Sequence, residues 1–368
     1  MEDFYQFSVF DIFSEPFKID KPIRLIELFA GIGSQAKALE RIGADFEHYR
    51  VCEFDKYAVT SYNAIHNTNF ATSDITQLTA DDLGIVDTDK YCYIMTYSFP
   101  CQDLSLAGKQ KGMAKGENTR SGLLWEVERL LNECKELPQV LLMENVTQVH
   151  GTSNVEHFAK WIEFLESKGY SNYWKDLNAK NFGIPQNRDR CFMVSLLGDY
   201  RYEFPRELPL KLRLKDMLED SVEEKYYLSE RTLNFFLFNK GSVQENCPTN
   251  TSSKFQDNNF VAEPLALDEQ NGYIRTDGTV GTLTTDGSSP KHNNRVIEPQ
   301  VKVVGKINSS QEGVKIRKLT PKECWRLMGF DDADFDKAAR HNSNAQLYKQ
   351  AGNSIVVDVL AHIFTQML

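Results

Sequence analysis

Short apolar runs alternate with helical patterns along the first half of the chain. The strand-like runs lie at 24–29, 46–52, 91–97, 139–143, 170–178 and 191–197. Apolar positions at helical spacing lie between them, at 34–42, 56–65, 121–131 and 155–167. Strands that alternate with helices in this way are typical of α/β folds. The pattern therefore predicts an α/β domain that opens with a strand, a glycine turn and a helix.

The pattern changes in the middle of the chain. Regular periodicity fades from Asp199 to about Val314, and Asn, Ser, Thr, Gly and Asp become frequent between Gly241 and Asn294. This composition predicts a loop-rich second region, part strand and part turn. Residues 291–318 carry seven basic and two acidic side chains, which is a local charge of +5. Such a patch fits either a nucleic-acid backbone or a solvated surface.

Regular structure returns near the C-terminus. Thr320, Pro321 and Glu323 predict a helix start, with an N-cap, a proline at the first helical position and a capping-box glutamate. Gly352 predicts a turn that opens an apolar C-terminal helix at 355–368. We expect this segment to return to the first domain. The predicted domains are therefore 1–198 and 199–314, with 315–368 completing the first.

Composition and charge narrow the class of protein. The chain has 368 residues, 42 basic and 52 acidic, so its net charge of −10 argues against indiscriminate nucleic-acid binding. Its seven cysteines include no CxxC pair, which predicts reduced thiols in a cytosolic protein without disulfides or a zinc site. The acidic, aromatic first twenty residues do not resemble a signal peptide, and no run reaches the eighteen apolar residues of a membrane span.

The first glycine turn is typical of a site for a nucleotide-containing cofactor. Gly31 and Gly33 let the backbone approach a ligand, and the helix that follows points free N–H groups at it. Glu53 is placed to accept hydrogen bonds from ribose hydroxyls. The polar turn at 73–75 suits an adenine amino group, with Ile75 against the ring.

These residues alone fit two classes of enzyme. Gly31-x-Gly33-x-x-Ala36 followed by Glu53 matches a nicotinamide dinucleotide site as well as an adenosyl site. Glu27, before the glycines, favours S-adenosylmethionine. A carboxylate there repels phosphates, whereas S-adenosylmethionine brings a sulfonium and an ammonium group.

Cys101 is the candidate nucleophile. It follows the buried run 91–97 and a proline that restricts Phe99 to an extended shape. Most cysteines are small core hydrophobes, so the residue alone is weak support. The loop 106–120 follows directly and contains three glycines and three lysines. It fits a lid that closes over a substrate, or a solvated surface loop.

Charged residues follow two later strands. Glu144 lies at the C-terminal end of the strand that starts at Gln139, where open α/β sheets place their ligands, although a capping or solvated carboxylate fits as well. Arg188 and Arg190 alternate, so on an extended segment they share one face. Two guanidiniums beside a glutamate and a thiol favour a substrate clamp.

Six motifs occur together in the order found in the DNA (cytosine-5) methyltransferase family, which the chain therefore resembles. They are Phe29-Ala30-Gly31-Ile32-Gly33, Pro100-Cys101-Gln102, Glu144-Asn145-Val146, Gln186-x-Arg188-x-Arg190, Arg317 to Glu323, and Gly352-Asn353-Ser354. They cover about 22–197 and 315–368. Ser34 and Leu104 stand where glycine and phenylalanine are frequent in the family, and neither change removes a chemical group. The stretches 97–105 and 118–126 resemble a bacterial, restriction-modification subgroup that includes CG-specific enzymes.

The resemblance implies a doubly wound, Rossmann-like methyltransferase domain that depends on S-adenosylmethionine. It also implies a smaller, irregular, β-containing target-recognition domain at 199–314. The implied reaction is methyl transfer to C5 of a flipped-out cytosine in double-stranded DNA, through a covalent bond between Cys101 and C6. The implied protein is a monomer of the bacterial cytosol, or phage-encoded. A cognate restriction endonuclease that acts independently is a candidate partner.

The family motifs also assign roles to residues. Cys101 is the expected nucleophile, Glu144 the acid at N3 and Arg190 the donor to O2, and Arg188 completes the catalytic set. The expected cofactor-binding residues are Phe29, Ala30, Gly31, Ile32, Gly33, Glu53, Phe54, Asp74, Ile75, Pro100, Leu123, Asn353 and Ser354. The expected DNA-binding residues are Gln102, Ser105, Lys109, Lys111 and Arg120. No metal ligand is expected.

Three alternatives remain open at this point. Some relatives with this motif set modify tRNA, although the long middle region favours DNA because a sequence-reading domain needs space. A nicotinamide oxidoreductase fits the glycine turn. A DNA-binding regulator without catalysis fits the fold but leaves the chemical groups unexplained.

Overall fold

The chain forms two compact units. The computed structural model describes residues 14–100, 104, 121–227, 265–268, 273–275, 279–280, 283, 294–299 and 314–368. The first unit contains Met1–Asn178, Asp189–Glu207 and Val357–Leu368. The second contains Ala179–Arg188 and Leu208–Val356.

A six-stranded sheet is the centre of the first unit. Its strands are β2 (Ile23–Leu28), β3 (Phe46–Cys52), β4 (Cys92–Tyr97), β5 (Val140–Asn145), β6 (Tyr170–Asn178) and β7 (Asp189–Leu197). They lie in the order β3-β2-β4-β5-β7-β6. Strand β7 alone runs in the direction opposite to the other five strands. A short pair, β1 (Glu15–Pro16) and β8 (Tyr200–Arg201), lies outside this sheet.

Helices of the first unit bury apolar faces. They are α1 (Ser34–Arg41), α2 (Lys56–His66), α3 (Ala80–Leu83), α4 (Leu124–Glu133), α5 (Val155–Ser167) and α9 (Val357–Thr365). In α4 the buried residues, Leu124, Val127, Leu130 and Leu131, recur at helical spacing. Every residue of β4 and β5 is buried, as expected for central strands covered on both faces.

The strand order creates a switch point above β2 and β4. The chain passes from β2 outward to β3 and then returns to β4 on the other side of β2. Leu28 pairs with Tyr97, so the loops that follow these two strands start side by side. Open α/β sheets bind their ligands at such a point. The predicted cofactor turn, at 29–33, follows β2, and the segment that leads to Cys101 follows β4.

In the part that the structure describes, the second unit contains a four-stranded antiparallel sheet and three helices. The strands are β9 (Leu265–Asp268), β10 (Tyr273–Arg275), β11 (Asn294–Pro299) and β12 (Val314–Lys318), in the order β10-β9-β11-β12. The helices are α6 (Pro321–Arg326), α7 (Asp332–Ala339) and α8 (Asn344–Asn353). Single 3-10 turns lie at Ile75–Gln77, Ser121–Leu123, Thr147–His150, Ala179–Phe182, Leu214–Met217 and Glu224–Tyr226.

Several local predictions are confirmed and one, the turn at Gly352, is wrong. Helix α5 and strand β6 have the predicted bounds. Gly352, however, lies inside α8 and does not form a turn before the last helix. Strand β5 ends at Asn145, so Glu144 lies at the C-terminal end of a buried strand, as predicted. Only Val357–Leu368 groups with the first unit, whereas 315–356 groups with the second.

Candidate active site

The turn after β2 has an unusual backbone. Phe29, Gly31 and Gly33 all have φ in the left-handed region, at 58°, 58° and 83°. A Cβ atom on Gly33 would lie 2.3 Å from Nε2 of His66, whereas one on Gly31 would meet nothing within 4 Å. Gly33 is therefore required by both conformation and space. Open space beside Gly31 leaves the backbone of the turn accessible to a ligand.

Glu53 fixes this turn from the end of β3. Its Oε2 accepts from the backbone N–H of Gly31 at 3.0 Å, and its Oε1 accepts from that of Asp55 at 2.8 Å. Burial raises the pKa of the Glu53 carboxyl, and the two backbone donors oppose that rise. Each carboxylate oxygen keeps a second lone pair for a hydroxyl group.

Two further predicted cofactor residues lie beside Glu53. The ring of Phe54 is 75% exposed, which is unusual for a phenylalanine in a protein with a large core. The backbone N–H of Ser73 donates to the carbonyl of Glu53 at 2.9 Å, which brings the turn with Asp74 and Ile75 next to it. Asp74 is exposed and accepts from Thr76, and Ile75 is buried. The first unit thus brings all three predicted parts of the cofactor site together.

Glu27 lies near the end of β2, just before the glycine turn, and bonds to the helices that follow it. Its side chain is completely buried and accepts from the Tyr62 hydroxyl at 2.5 Å and from the backbone N–H of Ala36 at 3.4 Å. Burial raises the pKa of Glu27 to about 7. The residue lies beside the turn, as the charge argument assumed, but its contacts are with α1 and α2.

The two residues before Cys101 are held by their carbonyls. Asn145 donates from Nδ2 to the carbonyl of Phe99 at 2.9 Å, and Ser121 donates from Oγ to that of Pro100 at 2.7 Å. Asn145 and Ser121 are both buried. Leu123, a predicted cofactor residue, packs against the hydrophobic core. Predicted residues that lie outside the described part of the chain are Cys101, Gln102, Ser105, Lys109, Lys111 and Arg120.

Glu144 and Arg190 form an ion pair. Nε of Arg190 lies 3.2 Å from Oε1 of Glu144, and both side chains are mostly buried. Glu144 is the residue before Asn145 on β5, so the ion pair lies one residue away from the side chain that holds the Phe99 carbonyl. Glu144, its partner Arg190 and the residues that precede Cys101 therefore lie at the carboxyl end of β5.

The side chain of Arg188 is held by backbone carbonyls of the second unit. It precedes β7, is 4% exposed and donates to the carbonyls of Leu283, Gly352 and Ser354 at 2.9–3.2 Å. All three carbonyls belong to the second unit, and the clamp made by both arginines stays a prediction. Arg188 belongs to the second unit, as do Asn353, which is exposed, and Ser354, which is buried.

Some residues of the site gave little sequence signal. Asn145 lies within a recognised motif, but nothing in the sequence distinguished its amide from a neighbouring strand residue. Ser121 and Tyr62 lie far from their partners in sequence and carry no local pattern. Burial also raises the pKa of the thiols of Cys52, Cys92, Cys134, Cys191 and Cys324, so the five cysteines of the described chain resist ionisation.

Comparison with known proteins decides the family. The family model of the C-5 cytosine-specific DNA methylase matches residues 23–368. The chain belongs to this family. Type II methyltransferase M2.ScrFI of Lactococcus lactis subsp. cremoris is 33% identical, over 94% of this chain and 99% of its own length. Orphan methyltransferase M.SssI of Spiroplasma monobiae is 32% identical, over 94% and 97%.

Solved structures support the fold. The Dnmt2 methyltransferase of Schizosaccharomyces pombe superposes with a TM-score of 0.65 at 21% identity, covering 93% of this chain and 97% of that one. The predicted Rossmann-like methyltransferase fold is confirmed. Family membership and the relatives named as methyltransferases make the protein a DNA (cytosine-5) methyltransferase and decide against a nicotinamide oxidoreductase. Among the described residues, no helix is long and apolar enough to cross a membrane.

Proposed function

We propose that this DNA methyltransferase uses S-adenosylmethionine as its methyl donor and that Cys101, Glu144 and Arg190 carry out the chemistry. The observation that carries the proposal is the ion pair of Glu144 with Arg190, next to the hydrogen bond from Asn145 to the Phe99 carbonyl. An acid, a guanidinium and the segment that leads to a thiol are gathered at the ligand-binding edge of the sheet.

The residues around the glycine turn fit S-adenosylmethionine. The exposed ring of Phe54 offers a stacking surface for adenine, and Glu53 retains lone pairs for the ribose hydroxyls. Asp74 is an exposed acceptor for the adenine amino group. When bound, S-adenosylmethionine supplies an electrophilic methyl group.

The chain's own residues make C5 of cytosine reactive. The Cys101 thiolate adds to C6, which moves electron density towards C5 and makes it enamine-like. Glu144 donates a hydrogen bond or proton at N3, which offsets the charge that accumulates in the ring. Arg190 orients Glu144 and donates to O2. After methylation, loss of the C5 proton and expulsion of the thiolate by β-elimination restore both the aromatic ring and the enzyme.

Asn145 and Ser121 position the nucleophile. By holding the carbonyls of Phe99 and Pro100, they fix the backbone at the two residues before Cys101. A displacement of about 1 Å in such a segment is enough to cost on the order of 100-fold in rate. We infer that these two residues set the approach of the thiol to C6 without touching the substrate.

The target cytosine must leave the duplex to reach these groups. We propose that Gln102, Ser105, Lys109, Lys111 and Arg120 contact DNA and that residues 199–314 read its sequence. We also propose a monomer that acts in the cytosol, with any cognate restriction endonuclease as a separate protein. Bacterial and phage origins of the similar methyltransferases support this setting.

The test compares three variants in single-turnover methylation, DNA binding and cofactor binding. Cys101→Ser is expected to abolish methylation while both ligands still bind. Glu144→Gln is expected to slow the chemical step by roughly 10²–10⁴-fold. Cys134→Ser, at a partly buried thiol outside the site, is the matched control and is expected to match the wild type. Appreciable turnover by Cys101→Ser overturns the assignment.

A further inference from the structure

Three side chains behind the glycine turn point their ligand atoms at one another. Glu40 lies at the end of α1, His48 on β3 and His66 at the end of α2. Oε1 of Glu40 lies 2.7 Å from Nδ1 of His66 and 3.9 Å from Nε2 of His48. All three ligand atoms lie within 4.8 Å of one another. They come from three consecutive elements of the first unit.

The outer nitrogens of both histidines already have oxygen partners. Nε2 of His66 lies 3.3 Å from the carbonyl oxygen of Ile32, which only accepts. Nδ1 of His48 lies 2.9 Å from the Tyr62 hydroxyl, and that hydroxyl donates its own hydrogen to Glu27. We assign the single N–H of each neutral ring to its outer nitrogen, where it donates to these oxygens. Histidines that bind metals are oriented by this kind of outer hydrogen bond.

The inner nitrogens are consequently lone-pair donors that face a carboxylate. Nδ1 of His66 and Nε2 of His48 both face Oε1 of Glu40, so three electron-rich atoms share one space. A proton on Nδ1 of His66, donated to Glu40 across the 2.7 Å contact, satisfies this arrangement, and so does a metal ion. Lys37 does not fill this position, because its Nζ approaches the other carboxylate oxygen, Oε2, at 3.7 Å.

We propose that Glu40, His48 and His66 form a binding site for a divalent transition-metal ion of the zinc class. Two imidazoles and one carboxylate are ligands that Zn²⁺ and Co²⁺ accept, with a fourth position for water. A tetrahedral site with bonds of about 2.0–2.2 Å separates its ligand atoms by roughly 3.3 Å. The separations found here lie on both sides of that value, so small rotations of the side chains close the site.

The position of the site ties it to the glycine turn. His66 contacts the Ile32 carbonyl and fills the space where a Cβ on Gly33 would lie. The side chain of His66 is fully buried, whereas that of Glu40 is 35% exposed and gives an ion a route from solvent. The inference goes beyond DNA methylation and does not depend on the catalytic roles proposed above.

A second cluster of the described chain serves as the internal control. His150, Asp176 and Cys191 also lie within 4.8 Å of one another. His150 already contacts both carboxylate oxygens of Asp176, at 3.0 and 3.1 Å. A metal at that cluster would have a thiolate ligand, and its spectrum would therefore differ from that of a site with only nitrogen and oxygen ligands.

The experiment titrates Co²⁺ into the full-length protein after EDTA treatment and gel filtration, followed by visible absorption. We expect one Co²⁺ per chain, displaced by Zn²⁺, with ligand-field bands and no thiolate charge-transfer band. His48→Gln and Glu40→Gln, which alter partly exposed ligands, are each expected to remove these bands. Tyr62→Phe, which alters an outer partner, is expected to weaken Co²⁺ binding by about tenfold or more. His150→Gln is expected to leave binding unchanged.

Three results overturn the proposal. They are a wild-type protein that binds no Co²⁺ or Zn²⁺, bands that survive in folded His48→Gln and Glu40→Gln, and a spectrum with a thiolate band that disappears in His150→Gln. Circular dichroism and thermal melting establish that each variant is folded. Because the readout is metal binding, loss of methylation in any variant has no bearing on the result.

Discussion

Gly33 shows how closely the cofactor turn is fitted to the helix beside it. Its φ of 83° excludes most side chains, and its missing Cβ leaves room for His66 and Tyr62. Gly31 shares the left-handed backbone but has open space beside it. The two glycines of one motif therefore serve different purposes, the first for ligand access and the second for packing.

The two glycines predict different costs for the same substitution. Gly31→Ala is expected to cost about 1–2 kcal/mol, for the left-handed backbone alone. Gly33→Ala adds about 1–3 kcal/mol for overpacking against His66. Urea unfolding of both variants measures the difference, and S-adenosylmethionine affinity is expected to fall in both. Equal unfolding free energies would contradict the packing role of Gly33.

Glu27 predicts a pH-dependent contribution to stability. Its pKa is raised by burial from 4.5 to about 7, so the folded state keeps a proton that the unfolded state has lost. The stabilisation is complete below about pH 4.5 and is lost as the pH rises to about 7, by on the order of 3 kcal/mol. Glu27→Gln is expected to remove this slope. Unfolding free energies of both proteins, measured with EDTA across this range, should therefore diverge in their pH dependence; parallel curves would count against it.

At the level of elements, the start of α6 gives a structural role to the family motif from Arg317 to Glu323. Arg317 and Glu323 form a two-pronged ion pair at 2.7 and 2.8 Å, with both side chains fully buried. Glu323 also accepts from the backbone N–H groups of Thr320 and Glu219. The predicted capping box is confirmed. Arg317, counted in the basic patch at 291–318, faces the interior and is not available to DNA.

Breaking this pair is expected to be costly because one charge is left buried. Glu323→Gln is predicted to lower the unfolding free energy by about 3–5 kcal/mol. Asp332→Asn is the control, since it removes a partly exposed ion pair with Arg326 and is expected to cost about 0–1 kcal/mol. Thermal and urea unfolding of the two variants provide the measurement. Similar losses in both would argue against the buried pair as a major source of stability.

Elements with strong local signals were predictable, and positions that depend on distant partners were not. Helix α5 and the capped start of α6 follow from apolar spacing and from Thr320 and Glu323. Gly352 misled because an isolated glycine also occurs inside helices. The partners of Arg188, backbone carbonyls of the second unit, were not predictable because they have no sequence signature. The cofactor turn was predictable in outline, whereas its buried supports Tyr62 and His66 were not.

At the level of the whole molecule, the last helix completes the first unit. Helix α9 packs against α1, and Asp358 pairs with Arg41 at 2.8 Å. The backbone N–H of Ile19 donates to the carbonyl of Met367. Tyr202 donates to the carbonyl of Ile363. Segments from three distant parts of the chain therefore close one unit, and only the first of the two glycine motifs lies within it.

Removal of residues 357–368 is expected to abolish cooperative folding of the first unit. The deletion removes seven buried apolar residues, each worth roughly 1.5–3 kcal/mol if large, against a total stability of about 5–15 kcal/mol. Asp358→Asn, which removes only the ion pair, is expected to cost about 0–1 kcal/mol. Circular dichroism during heating distinguishes the two. A deletion variant with the wild-type melting transition would contradict the prediction.

The interleaving of the two units has a consequence for the order in which the protein matures during synthesis. The strands that carry the glycine turn and Glu144 leave the ribosome before the second unit, whereas α9 follows it. The second unit, at 179–188 and 208–356, is completed before that helix is available. Since domains otherwise tend to fold from the N-terminus onwards, a nascent chain holds its catalytic half unfinished until α9 has been translated, and methylating activity appears only after that point.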